Sequence, residues 1–261
     1  MKVLIVLAHP EKSSLTCSLA HIAKESFEAI GDEVQVSDLY AMNWKSSVDR
    51  DDFPAYKPER LFVCAASKDA TQNGTLTDDV VAEQQKLLWA DALLLVFPFW
   101  WFSVPAILKG WVERVFSFGF GYGIGEYNDV HWGDRYGEGT LFGKRAMLIT
   151  SVGGWQTHYS ARGINGPIDD LLYPINHGIL FYSGYEVLPP FVVYRSDSLD
   201  AQGFAQVSEN LRKRTASFKE TIPINFRRQN GGDYAIPSLE LHEELSPGCS
   251  GMGLHIKKAD N

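Results

Sequence analysis

Residues 97–118 read FPFWWFSVPAILKGWVERVFSF. An apolar run, Leu93 to Phe97, meets Pro98 and then four consecutive aromatics, Phe99, Trp100, Trp101 and Phe102. Ser103 is placed to cap a following helix and Pro105 to occupy its first turn, so the pattern predicts a strand, a tight aromatic turn and an amphipathic helix over Val104–Phe118. Open α/β sheets bind their ligands beyond the C-terminal ends of their strands, which is where this turn falls. Four neighbouring aromatics cannot all face one core, because successive residues there point in different directions. A wall of ring faces in that place suits a planar, redox-active ligand.

Working outward, Lys2–Ala8 (KVLIVLA) is a continuous apolar run of the kind that makes a buried parallel strand. Ser13 to Thr16 offer helix caps, Leu19, Ile22, Ala23, Phe27 and Ile30 follow at helical spacing, and Gly31 closes that helix. Further strands are expected at Val34–Leu39, Ala146–Ser151 and Glu186–Val193, and helices at Val80–Trp89, Ile168–Tyr182 and Ala201–Lys219. Strands alternating with helices of this length predict an α/β fold, a doubly wound five-stranded parallel sheet of order 2-1-3-4-5. Segments 43–76 and 119–143 carry no clear period, and from Pro223 the pattern fades into an expected extended arm.

Composition bounds the function. The chain has 261 residues, a formal charge of −8 and 45% hydrophobic residues, which describes a well-cored protein and argues against nucleic acid or an anionic membrane as partner. The three cysteines, Cys17, Cys64 and Cys249, show no metal spacing and read as reduced thiols of a cytoplasmic protein. No run approaches a membrane span, and the first strand, entered with no basic segment ahead of a long apolar run, leads us to expect no signal peptide. There is no G-x-S-x-G elbow, and Gly119, Gly121, Gly123 and Gly125 follow a helix rather than a strand, so neither a hydrolase nor a dinucleotide fingerprint is present.

Three loops carry the chemistry. His9-Pro10-Glu11-Lys12-Ser13-Ser14-Leu15-Thr16 joins strand one to its helix, and hydroxyls with free N–H groups at a helix N-terminus suit a phosphate. Ser151, Val152, Gly153 and Gly154 end strand four, where two glycines let backbone approach a ligand. Tyr159 and Asn165 lie in HYSARGINGP, held tight by Gly163 and Gly166. Tyr159 is placed to hydrogen-bond a ring that gains negative charge on reduction.

With VLIVLAHPEKSSLT, FPFWWFSVPAILKGWVERVF, GGWQTHYSARGINGP and LLYPINHGIL in this order, the chain resembles the NAD(P)H:quinone oxidoreductase (DT-diaphorase) flavoproteins over most of residues 1–194. The resemblance implies a flavodoxin-like FAD-binding catalytic domain over 1–222 and a C-terminal extension over 223–261. It implies FAD, with the diphosphate at His9, Leu15 and Thr16, the ring against Pro98, Phe99, Trp100, Trp101 and Phe102, and its polar edge at Ser151–Gly154 and Tyr159. It also implies a homodimer in which Tyr122 and Tyr182 line the partner's substrate pocket, and ping-pong transfer of hydride from NAD(P)H to a quinone-like acceptor. The alternative is a flavin-bound ancillary subunit, for example of an ion-efflux system, with incidental reductase activity.

Three departures stand out. Asn165 occupies the position of a family histidine and cannot ionise near neutral pH. The Gly123–Gly139 insertion is longer than the family loop. His177 is present but Phe181 replaces the second histidine of one branch's structural metal site, so no metal is expected there.

Overall fold

The computed structural model describes residues 1–257. Strands β1 (Lys2–Leu7), β2 (Glu33–Asp38), β3 (Ala92–Pro98) and β4 (Arg145–Ser151) are parallel, and the short strands β5 (Glu186–Val187) and β6 (Phe191–Val193) both pair with β4. The order is β2-β1-β3-β4-β5, the predicted winding. The expected fifth strand is broken because Pro189 and Pro190 have no N–H for the ladder. Ala146 faces Val187 and Ile149 faces Phe191, so four steps on the outer strand match three on β4, a one-residue bulge.

Alternation along the strands feeds two cores. Val3, Ile5, Ala92, Leu94, Met147 and Ile149 pack under helices α1 (Leu15–Ala29) and α6 (Ala201–Ala216). Leu4, Val6, Leu93, Leu95, Phe97 and Leu148 point the other way, toward α3 (Asp78–Trp89), α4 (Ala106–Val115) and α5 (Ile168–Ile175). Ser14 caps α1 by accepting from the Cys17 N–H at 3.2 Å. At its other end Gly31 adopts φ +84, and the N–H groups of Gly31 and Asp32 return to Glu28 and Phe27.

Several boundaries differ from the expectation. Helix α4 begins at Ala106 with Pro105 in the cap position, so Ser103 is not its cap; the Ser103 N–H instead closes the aromatic turn onto the Trp100 carbonyl at 3.0 Å. It ends at Val115, three residues early. The helix expected over Ile168–Tyr182 is α-helical only to Ile175 and then widens into a π-helix over Asn176–Phe181, just after Pro174 removes one helical donor. The unassigned 43–76 segment contains α2 (Val63–Asn73). In the 119–143 region, Tyr127 and Trp132 pair across a small loop, and His131, Asp134 and Glu138 bring their ligating atoms within 4.8 Å of one another. The arm folds back over the helical layer, with Phe226 bridging Ile256 and Gln229 donating to the Trp132 carbonyl at 2.7 Å.

One buried carboxylate ties the helical layer to the sheet. Glu83 on α3, with 0% exposure, accepts from Trp111 Nε1 on α4 (2.9 Å), Ser37 Oγ on β2 (3.1 Å) and Lys86 Nζ (2.5 Å). Removing it leaves the buried Trp111 indole N–H without its acceptor and the Lys86 ammonium with only the Ser37 hydroxyl. Glu83→Ala is therefore expected to cost about 3 kcal/mol in denaturant unfolding, the scale for breaking one side of a buried pair. Glu83→Gln, which keeps an acceptor, should cost less.

Candidate active site

The winding brings the three loops together. A cavity of about 330 Å³ beyond the C-terminal ends of β1, β3 and β4 is lined by His9, Ser14, Leu15, Thr16, Pro98, Phe99, Trp100, Ser151 and Gly153, with Ser196 and Asp197. The expected phosphate loop, the start of the aromatic turn and the start of the glycine loop thus share one space. Ser196 and Asp197 were not expected; they follow the broken fifth strand, in a run of Ser and Asp that reads as ordinary loop.

At the β1–α1 loop the donors face the cavity without competition. The first-turn N–H groups of Leu15 and Thr16 have no carbonyl four residues back to bond in helical geometry. His9 Nδ1 is engaged within the loop, 3.0 Å from the Glu11 N–H and 3.2 Å from the Glu11 carbonyl, which leaves Nε2 as the ring nitrogen with no partner among the described residues. Glu11 itself is occupied: its carboxylate accepts from the N–H (2.9 Å) and hydroxyl (2.8 Å) of Ser13, which hold its pKa below the usual carboxylate value. The carboxylate of Asp197 lies over Gly153, where a Cβ would meet its Oδ2 at 2.9 Å. Among the described lining residues there is no arginine or lysine, so an anion here would rely on neutral donors and the positive end of α1, away from the Asp197 carboxylate.

The aromatic turn is bent by its backbone. Trp101 (φ +51) and Phe102 (φ +59) both occupy the left-handed region, which folds Trp100 back against Ser103. Phe99 and Trp100 stay at the cavity, and Trp100 packs on His9 with ring centroids 5.6 Å apart. Trp101 is 96% exposed and Phe102 52%, and neither lines this cavity.

The remaining expected residues lie around the rim or apart. Val152 is buried, its N–H donating to Val193 at 2.8 Å. A Cβ on Gly154 would touch Tyr159 at 3.0 Å, which puts that ring beside the glycine loop, and Tyr159 also packs on Tyr194 at 5.9 Å. The Asn165 N–H donates to the His158 carbonyl at 3.0 Å, tying Asn165 to the same turn as Tyr159. Tyr122 and Tyr182 are not at this chain's cavity. Tyr122 packs on Phe118 at 5.5 Å, and burial, with the Cys64 thiol as a further cause, pushes its pKa up to about 12. Tyr182 meets the edge of Tyr136 at 4.9 Å.

Comparison with known proteins gives the same fold. Residues 1–215 match the family description of the flavodoxin-like fold. A ribosyldihydronicotinamide dehydrogenase-like protein of Penicillium crustosum is 56% identical over 259 residues, 98% of this chain and 96% of the relative. A putative quinone reductase from Klebsiella pneumoniae superposes with a TM-score of 0.97 at 56% identity, covering 98% of this chain and 100% of that one. The NAD(P)H dehydrogenase [quinone] 1 of Rattus norvegicus is 37% identical over 227 residues, 86% of this chain and 80% of the relative. The chain belongs to the NAD(P)H:quinone oxidoreductase family. It is an oxidoreductase with that family's fold, and among the described residues no helix is long and apolar enough to cross a membrane.

A large, fully exposed indole on a left-handed backbone adds nothing to this chain's core and costs on the order of 1–2 kcal/mol of conformational energy. Backbone strain of this kind, on the turn that also places Phe99 and Trp100 at the cavity, is what the following variant tests. Trp101→Gly is expected to leave the flavin-free protein at least as stable in denaturant melts while lowering flavin retained through gel filtration. Undiminished flavin content would detach Trp101 from the site.

Proposed function

We propose that this protein is an FAD-dependent, homodimeric reductase that passes hydride from NAD(P)H to quinone-like acceptors in a ping-pong cycle. The convergence of three loops on one cavity at the sheet's switch point carries the proposal. The choice of FAD over FMN rests on what lies next to that cavity. It adjoins a groove through shared Leu15 and Ser196, and that groove adjoins another through shared Ser18 and Phe204, reaching Lys12, His21 and Arg212 along α1 and α6. A mononucleotide would leave this continuation empty; a dinucleotide has an adenosine half to lay in it.

In this reading the His9 ring, with the N–H groups of Leu15 and Thr16, would hold the diphosphate. Pro98, Phe99 and Trp100 back the ring system, and the backbone of Ser151 to Gly154 borders its polar edge. The flavin supplies the hydride chemistry, and the chain supplies position and electrostatics. Tyr159 stands beside Gly154, from where its O–H would donate to a ring that gains negative charge on reduction. Asn165 orients and does not titrate. Trp101 and Phe102 extend the wall outward, toward the face that a partner's Tyr122 and Tyr182 would close.

Chromatography of the heat-released cofactor tests the first claim, with FAD at about one per chain expected and FMN alone overturning it. For the second, stopped-flow reduction by NAD(P)H should be slowed in Tyr159→Phe by up to the ~10²–10³-fold loss seen for an oxyanion-hole donor, and less if the pocket is wet. Asn165→Ala should act mainly on substrate binding. Wild-type rates in Tyr159→Phe would reduce Tyr159 to a pocket wall.

A further inference from the structure

A second cavity, of about 580 Å³, lies where the C-terminal arm folds over α5 and the π-helix. It shares no lining residue with the flavin cavity. Tyr136 from the insertion, Tyr173 and His177 from the helices, and Tyr234 and His255 from the arm form its walls, with Leu239, Met252 and Leu254 as apolar fill. Its size is that of a small-molecule site rather than a packing defect.

The polar groups of the lining divide into two sets. Arg227 is consumed: it donates to Asp233 at 3.0 Å and to the Leu254 carbonyl at 2.9 Å. Gln229 is consumed by Arg135, Trp132 and Gly133, and His255 Nδ1 pairs with the Tyr234 hydroxyl at 2.8 Å. The buried Tyr173 hydroxyl and the His177 ring are not consumed. The imidazole stacks against Tyr136 at 4.7 Å and Tyr173 at 4.6 Å, and among the described residues neither of its nitrogens has a hydrogen-bond partner. Burial, with His255 nearby, lowers its pKa to about 4, so at neutral pH the imidazole presents one donor and one acceptor along a single edge. Nothing in the sandwich needs that pair of functions; phenylalanine would stack as well.

We propose that this cavity is a second small-molecule site, for a neutral flat aromatic carrying a hydroxyl or carbonyl group. The tyrosine faces take its ring, the His177 edge takes its oxygen, and Arg227, the one guanidinium or ammonium among the described lining residues, is already engaged by Asp233. Tyr136 forms the shared wall between this cavity and Tyr182, whose carbonyl accepts the Tyr136 N–H at 3.0 Å. The site is independent of the FAD assignment.

Equilibrium dialysis of the flavin-loaded protein against 2-naphthol tests it. Wild type should bind one equivalent per chain in this cavity. His177→Phe, which keeps the stack and removes both edge functions, should bind about tenfold more weakly. Leu254→Trp, which fills the cavity, should lose this equivalent, with flavin content and melting temperature reporting that each variant is folded. Should Leu254→Trp not fold, His177→Phe alone decides. Absence of binding in wild type, or equal binding in wild type and His177→Phe, overturns the proposal.

Discussion

The site depends on a reversal in the winding. From β1 the chain moves outward to β2, then crosses back over β1 to lay down β3 on the other side. The loops leaving β1 and β3 therefore run to opposite faces of the sheet, and nothing in the connectivity covers the gap between them. Both strands are continuous apolar runs, buried on each face, so their register is held by packing from two cores at once. The positive end of α1, the aromatic turn after β3 and the glycine loop after β4 then converge because there is no other place for them.

What fills that gap is shaped by energy placed elsewhere. Trp101 and Phe102 hold left-handed backbone at the turn, which an isolated segment would relax. The turn is anchored before and after. The Phe99 N–H donates to the Ser151 carbonyl at 2.9 Å, locking it to β4, and α4 behind it is gripped by the Glu83–Trp111 bond and by Gln84 donating to the Val115 carbonyl at 2.8 Å. Gly110 allows α4 to lie directly on the Ser46 backbone, where any Cβ would collide. Helix α4 thus acts as a brace for the loop that precedes it.

The legible parts of the sequence are those set by local pattern. The winding, α1 with its Ser14 cap and Gly31 stop, and the three convergent loops all follow from apolar runs, helical spacing and turn chemistry over short windows. Helix α2 did not, because its buried residues are only Ala66, Ser67 and Ala70, too small and too polar to give a period. The π-helix escaped because apolar spacing marks a helix but not its hydrogen-bond register, and says nothing of Pro174, which lacks a donor inside the expected helix. Ser196 and Asp197 escaped because their place at the cavity depends on where the broken fifth strand delivers the chain, with the Ser196 N–H bonded to the Val152 carbonyl at 3.1 Å.

The insertion and the arm were illegible for a related reason, since each is ordered by the other. Arg135 Nε donates to Gln229 at 2.7 Å, Gln229 returns a bond to Trp132, and Asn230 donates to Glu138 at 2.6 Å, all across more than 90 residues of sequence. Neither partner has enough apolar periodicity to declare an element alone. Together they bury Phe226 against Tyr173, His177 and Phe181, and they wall the second cavity from the side opposite α5. At the position where a second histidine would be needed, Phe181 tilts against Phe226 at 5.0 Å, so this corner is built from ring packing. His177 is held in that corner by ring packing as well, with Phe181 at 5.6 Å and Phe226 of the arm at 5.1 Å.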